Sequence, residues 1–128
     1  METVKASIGH EKYKTTLTTA TNSLIADEPE ELGGTDAGFS PVELLAGALA
    51  SCTAITLRMY AERKAFDTGT IDVTVTVEQT DSSNTHFHRK ITLEKQPEEA
   101  LLKRMLAIAN ACPTHKLLSG NIAIHTAI

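Results

Sequence analysis

The sequence predicts an α+β domain in which antiparallel strands accompany one long, buried central helix. Three features carry that expectation. An uncharged apolar run from Leu44 to Leu57 follows a helix-start signal, two stretches alternate apolar and polar residues at 71–77 and 87–93, and an amphipathic helical pattern follows Pro97. The 128 residues, 41% of them hydrophobic, are enough for a single domain over 1–128. A domain of that size buries roughly two-thirds of the surface its unfolded chain exposes.

Taken in order, residues 4–25 alternate loosely and are rich in Thr, with Gly9 and His10 at a turn, which predicts two or three strands. The run ADEPEELGGTDAGF at 26–39 holds Pro29, Gly33, Gly34 and Gly38, so it reads as a loop. Ser40, Pro41 and Glu43 then fit the N-cap, first and third positions of a helix, a capping box with proline where its missing N–H does no harm. That helix is expected from about 41 to 64. Its circumference is apolar or small almost all round, which predicts burial on every side and, in so small a domain, a subunit interface along it. Only Arg58 and Glu62 to Lys64 read as solvated.

Ile71, Val73, Val75 and Val77 alternate with polar residues, as do Phe87, Arg89, Ile91 and Leu93, and the polar linker at 80–85 makes them an antiparallel hairpin with one buried face. Pro97 opens a second helix with Leu101, Leu102, Met105, Leu106, Ile108 and Ala109 inward, ending near Asn110. Cys112 and Pro113 begin a short helix that Ser119 and Gly120 stop, and NIAIHTAI at 121–128 reads as a closing strand.

Composition excludes several classes of function. With 16 acidic residues against 12 Lys and Arg, the chain lacks the positive field that gathers nucleic acid or anionic lipid. Residues 1–10 hold no apolar signal core, and the 44–57 run is shorter than the roughly 20 residues of a membrane span, so a cytoplasmic protein is expected. No GxSxG elbow supports a serine hydrolase. Cys112 and His115 have ligand spacing, but a zinc site needs about four ligands and no second such pair occurs, so no metal is expected. His86, His88 and Arg89 near the hairpin tip read as a solvated cluster.

The two cysteines are the pointed feature. Cys112, placed to cap the helix that Pro113 begins, meets unpaired backbone N–H groups and a helix dipole that favour a thiolate, with His115 on the same face. Cys52 lies mid-helix in apolar surroundings, which raise a thiol pKa unless a donor or cation is brought to it. Each could also be a small buried hydrophobe. In a reducing compartment, however, a free or redox-cycling pair is favoured over a permanent bridge.

The segment SPVELLAGALASCT at 40–53, preceded by Gly33 and Gly34 and followed far downstream by ACP at 111–113, resembles the OsmC/Ohr family of organic hydroperoxide reductases. ADEP at 26–29, LRMYA at 57–61 and CPTHK at 112–116 resemble its OsmC-like branch. The resemblance implies an intertwined homodimer with active sites at the interface, Cys52 as the thiolate that attacks the peroxide and Cys112 as the resolving thiol. It also implies an external dithiol as reductant and no bound cofactor. Where such proteins carry a Glu directly after the helix-opening proline, this chain has Val42, with Glu43 one residue later as the catalytic candidate. The Arg expected from the N-terminal strands has no counterpart, the first Arg being Arg58, which leaves His10, Lys12 and His115 as candidates to stabilise a thiolate. Two further readings stay open: a dimeric module that binds a small apolar or electrophilic ligand, or a slow thiol redox switch.

Overall fold

A computed structural model describes all residues, 1–128, and the chain divides into two compact units, Met1–Leu45 and Ala46–Ile128. In the first, β1 (Lys5–Ile8), β2 (Thr15–Thr18) and β3 (Ser23–Ala26) form an antiparallel sheet in the order β1-β2-β3. Ala6 lies opposite Leu17, and Leu17 opposite Leu24. The Thr-rich sequence thus forms three short strands, and the β2–β3 turn is closed by Thr19, whose hydroxyl accepts the Asn22 N–H at 3.0 Å.

The 26–39 segment is irregular but ordered. It contains one turn of 3-10 helix, Glu30–Leu32, ended by Gly33 in the left-handed region at φ 91°. Asp27, 2% exposed, organises it. One carboxylate oxygen accepts the N–H groups of Tyr13 (3.1 Å) and Glu28 (2.8 Å). The other accepts the N–H groups of Thr35 (3.2 Å) and Ala37 (3.1 Å) and the Thr35 hydroxyl (2.8 Å). Gly38 passes so close to β3 that a Cβ there would collide with the Ile25 carbonyl.

Helix α1 spans Pro41–Arg63. Its capping box forms as the sequence predicts: the Ser40 N–H donates to the Glu43 carboxylate (2.8 Å) and the Glu43 N–H to the Ser40 hydroxyl (3.2 Å). Such a cap is worth about 1 kcal/mol. By length and mean hydropathy, 1.4 over its most apolar window, α1 is long and apolar enough to cross a membrane, a test the 44–57 run fails when counted alone. Within a single chain the expected burial on all sides is incomplete. Only the stripe Leu49, Thr53, Leu57, Tyr60 and Ala61 is buried, while Val42, Leu45, Ile55 and Met59 are exposed, because one chain supplies too little material to cover every face.

In the second unit β4 (Ile71–Asp81) and β5 (Asn84–Leu93) form the predicted hairpin, extended into the polar linker. The Asp81 carboxylate closes the turn by accepting the Ser83 N–H and the Asn84 side-chain amide. Helix α2 (Glu99–Ala109) begins two residues later than Pro97 implies and ends at Asn110, and α3 spans Pro113–Ser119. The core is Leu57, Tyr60, Met105 and Ala109, flanked by Phe66, Ile71, Ile91 and Leu93. Truncating Leu57 to Ala would cost about 2–5 kcal/mol.

Two further expectations are corrected. Arg58 is not simply solvated: it donates to the Thr68 hydroxyl (3.2 Å) and the Gly69 carbonyl (2.6 Å), tying α1 to the loop before β4. The 121–128 segment is no strand, since it has no ladder partner within the chain, and Ile122, Ile124 and Ile128 are exposed.

Candidate thiol site

The first turn of α3 brings the two sulfurs together. Its leading N–H groups have no carbonyl four residues back to bond, so they must find other acceptors. Cys112 is the N-cap residue and its Sγ accepts the His115 N–H at 3.4 Å. The Thr114 N–H points at α1 and reaches Cys52 Sγ at 3.5 Å. Pro113 occupies the first helical position, where no N–H is needed.

The sulfurs differ in environment. Cys112 is fully buried, whereas Cys52 is half-buried, and both are free thiols. Burial acts to raise the Cys52 pKa, but the hydroxyl and N–H of Thr114, the Cys112 side chain and Thr56 together outweigh it, and the net shift is downward. A donor directed at sulfur favours the thiolate, the form that acts as nucleophile.

Beside Cys112 lies Thr53, one residue along α1 from Cys52. Its Oγ1 stands 3.8 Å from Cys112 Sγ, donates to the Leu49 carbonyl at 2.7 Å and accepts from Arg89 Nη1 at 3.0 Å. Arg89 comes from β5. Its Nη1 also donates to the Ala109 carbonyl (3.2 Å), and its Nη2 to the Asn110 side-chain oxygen (2.8 Å) and to His115 Nδ1 (3.1 Å). A guanidinium only donates, so His115 Nδ1 accepts and the ring proton sits on Nε2. Neither of the two lysine–carboxylate ion pairs nor the His88–Glu78 contact involves Arg89, so its hydrogen-bond partners are neutral acceptors alone. A small cavity of about 150 Å³, lined by Leu49, Phe87, Arg89, His115, Leu118 and Ser119, opens beside the guanidinium.

Of the residues singled out in the sequence, Cys52, Cys112 and His115 meet here. His115 reaches Cys112 with its backbone N–H, while its ring is bonded to Arg89. Glu43 is engaged in the α1 capping box. His10 and Lys12 lie in the exposed connection between β1 and β2. Arg89, Thr53 and Asn110 were not singled out for the site. The reading of His86, His88 and Arg89 as one solvated cluster is corrected: His86 and His88 are exposed, and Arg89 turns to the opposite, half-buried face. The signal was in the alternation, because Arg89 occupies the apolar register of Phe87, Ile91 and Leu93 and lies opposite Val75. A cation on the inward face of a strand needs acceptors inside the fold.

Comparison with known proteins agrees with this architecture. No curated protein matches the sequence significantly. A protein from Psychrobacter arcticus 273-4, named for osmotic stress induction and a detoxification response, superposes with a TM-score of 0.78 at 25% identity, over 91% of this chain and 88% of its own. An OsmC-like protein from Mycoplasma pneumoniae gives 0.74 at 21% identity, over 94% and 88%. An organic hydroperoxide resistance protein OsmC from Legionella pneumophila gives 0.65 at 21%, over 94% and 90%. The two at 21% identity show a shared fold. The family model described as OsmC-like protein matches residues 34–127, and with both cysteines inside that match the chain belongs to the OsmC-like family.

Proposed function

We propose that the protein reduces organic hydroperoxides to alcohols with Cys52 as the attacking thiolate and Cys112 as the resolving thiol. The observation that carries this reading is the shared first turn of α3, which directs one N–H at each sulfur and holds the half-buried Cys52 beside the fully buried Cys112. The name of the Legionella protein supports the same chemistry.

In the first step Cys52 sulfur attacks the terminal peroxide oxygen, the O–O bond breaks, and the alkoxide takes a proton and leaves as the alcohol. Cys52 becomes a sulfenic acid. Cys112 then attacks that sulfur, the S–O bond breaks, and water leaves as the disulfide forms. An external dithiol, available in a cytoplasmic setting, reduces the disulfide by exchange and becomes a disulfide itself. A homodimer would cover the exposed α1 stripe of Val42, Leu45, Ile55 and Met59. Ile55→Glu is expected to shift the sedimentation coefficient from dimer to monomer.

The test is consumption of cumene hydroperoxide, against hydrogen peroxide, with a dithiol reductant. Turnover above that of free dithiol, lost in Cys52→Ser and strongly reduced in Cys112→Ser, is the expected result. Turnover no faster than free dithiol, with Cys52 slow to alkylate at neutral pH, would sink the reading and favour a ligand-binding or slow redox-switch protein.

A further inference from the structure

The arrangement around Thr53 has a chemical consequence for the resolving step. Thr53 Oγ1 carries one proton, and the 2.7 Å contact to the Leu49 carbonyl holds it. The hydroxyl oxygen already accepts from Arg89, so while Cys112 is protonated its S–H is the donor across the 3.8 Å contact. When Cys112 loses its proton, the same hydroxyl can turn its hydrogen from Leu49 to the sulfur while Arg89 still donates to the oxygen. A hydroxyl polarised by a cation is a stronger donor to an anion. The charge that drives this is not neutralised nearby. The partners of Arg89 are Thr53 on α1, the Ala109 carbonyl and Asn110 at the end of α2, and the His115 ring on α3, all without negative charge. Glu99 and Lys103 line the neighbouring groove with Arg89, and these two exposed side chains pair with one another at 3.6 Å across one turn of α2.

We propose that Arg89 is a positioning residue for the resolving cysteine, acting through the Thr53 hydroxyl to hold Cys112 as a thiolate when the Cys52–Cys112 disulfide forms. This rests on the two-cysteine reading above. Arg89 acts on Cys112 from a strand of the second unit, whereas the Arg that the family resemblance implies among the N-terminal strands would act on Cys52.

Disulfide exchange with dithiobis-nitrobenzoic acid tests this independently of any peroxide. Cys52 thiolate attacks the reagent, forming a mixed disulfide and releasing one coloured thiolate. Cys112 thiolate then attacks Cys52 sulfur, the Cys52–reagent bond breaks, a second coloured thiolate leaves, and the Cys112 proton goes to solvent. The reagent is reduced and both cysteines are oxidised. The readout is the rate of the second release relative to the first, followed against pH.

In Arg89→Gln the second release is expected to slow about tenfold relative to the first at neutral pH, with its pH midpoint moved about one unit to the alkaline side. Thr53→Val, which keeps Arg89 in place, should reproduce the shift, and Thr53→Ser and Arg89→Lys should restore much of it. Should Arg89→Gln fail to fold, Thr53→Val decides the question alone. A second release with the wild-type relative rate and midpoint in Thr53→Val would overturn the proposal and leave the two-cysteine reading intact. One coloured thiolate per chain in the wild type would overturn both.

Discussion

The Asp27 loop and the thiol site both bury a group that water would otherwise solvate, and they solve the problem in opposite ways. Asp27 is ringed by five short donors, all from residues 13–37. The Thr35 hydroxyl leads in holding its carboxyl far below the usual carboxylate range, against the upward push of burial, with the N–H groups of Ala37, Glu28 and Tyr13 adding to it. The sulfurs instead meet fewer and longer contacts of 3.4–3.8 Å, one from His115 three residues beyond Cys112 and two that join α1 to the start of α3. A charge satisfied on every side is inert and shapes the chain around it. A thiolate held by one or two weak donors stays available to attack.

The largest expected effect breaks the first of these arrangements. Asp27→Ala leaves the N–H groups of Tyr13, Glu28, Thr35 and Ala37 without their acceptor, and the melting temperature should fall by about 10 °C or more in a calorimetric scan. Gly38→Ala should destabilise the same segment by less, because the Ile25 carbonyl can yield only by moving β3. Comparing the two melts separates loss of the carboxylate from loss of close approach.

The pH dependence sharpens the contrast. The folded pKa of Asp27 is depressed, so the stability it contributes is present above the unfolded value, about 3.9, and is lost as pH falls toward the folded one. Wild-type melts should therefore decline below about pH 4 more steeply than those of Asp27→Asn, and parallel curves would contradict the assignment. Cys52 is depressed as well, in a range that reads out as reactivity. Its alkylation rate should reach half its maximum below the pH at which an unfolded thiol does, and Thr114→Pro, which removes the N–H, should move that midpoint upward. At the small end stands Lys95, whose 2.6 Å ion pair with Asp67 lies at the surface. Lys95→Met should leave the melting temperature unchanged within error.

Most of the elements were legible because each is written locally. The α1 cap is spelled within four residues, the hairpin by strict alternation, and the start of α3 by Cys112-Pro113. The Asp27 hub was not, since a single Asp in a Gly-rich loop carries no periodic signal, and its donors are spread over more than twenty residues. At the site, both cysteines stood out by rarity and placement. Thr53 was hidden among the small residues of α1, and Arg89 was misread because two exposed histidines, His86 and His88, closely precede it on the hairpin.

Backbone propensity, capping and hydrophobic period act over a few residues, so element type, order and the two chemically placed cysteines follow from the chain alone. Which donor meets which sulfur does not, because Cys52, Arg89 and Thr114 are 25 to 62 positions apart and are brought together only when α1, β5 and α3 pack. The same holds for the tail at 121–128. Its alternation reads as a strand, yet a strand exists only where another edge offers its N–H and C=O groups, and within this single chain none does.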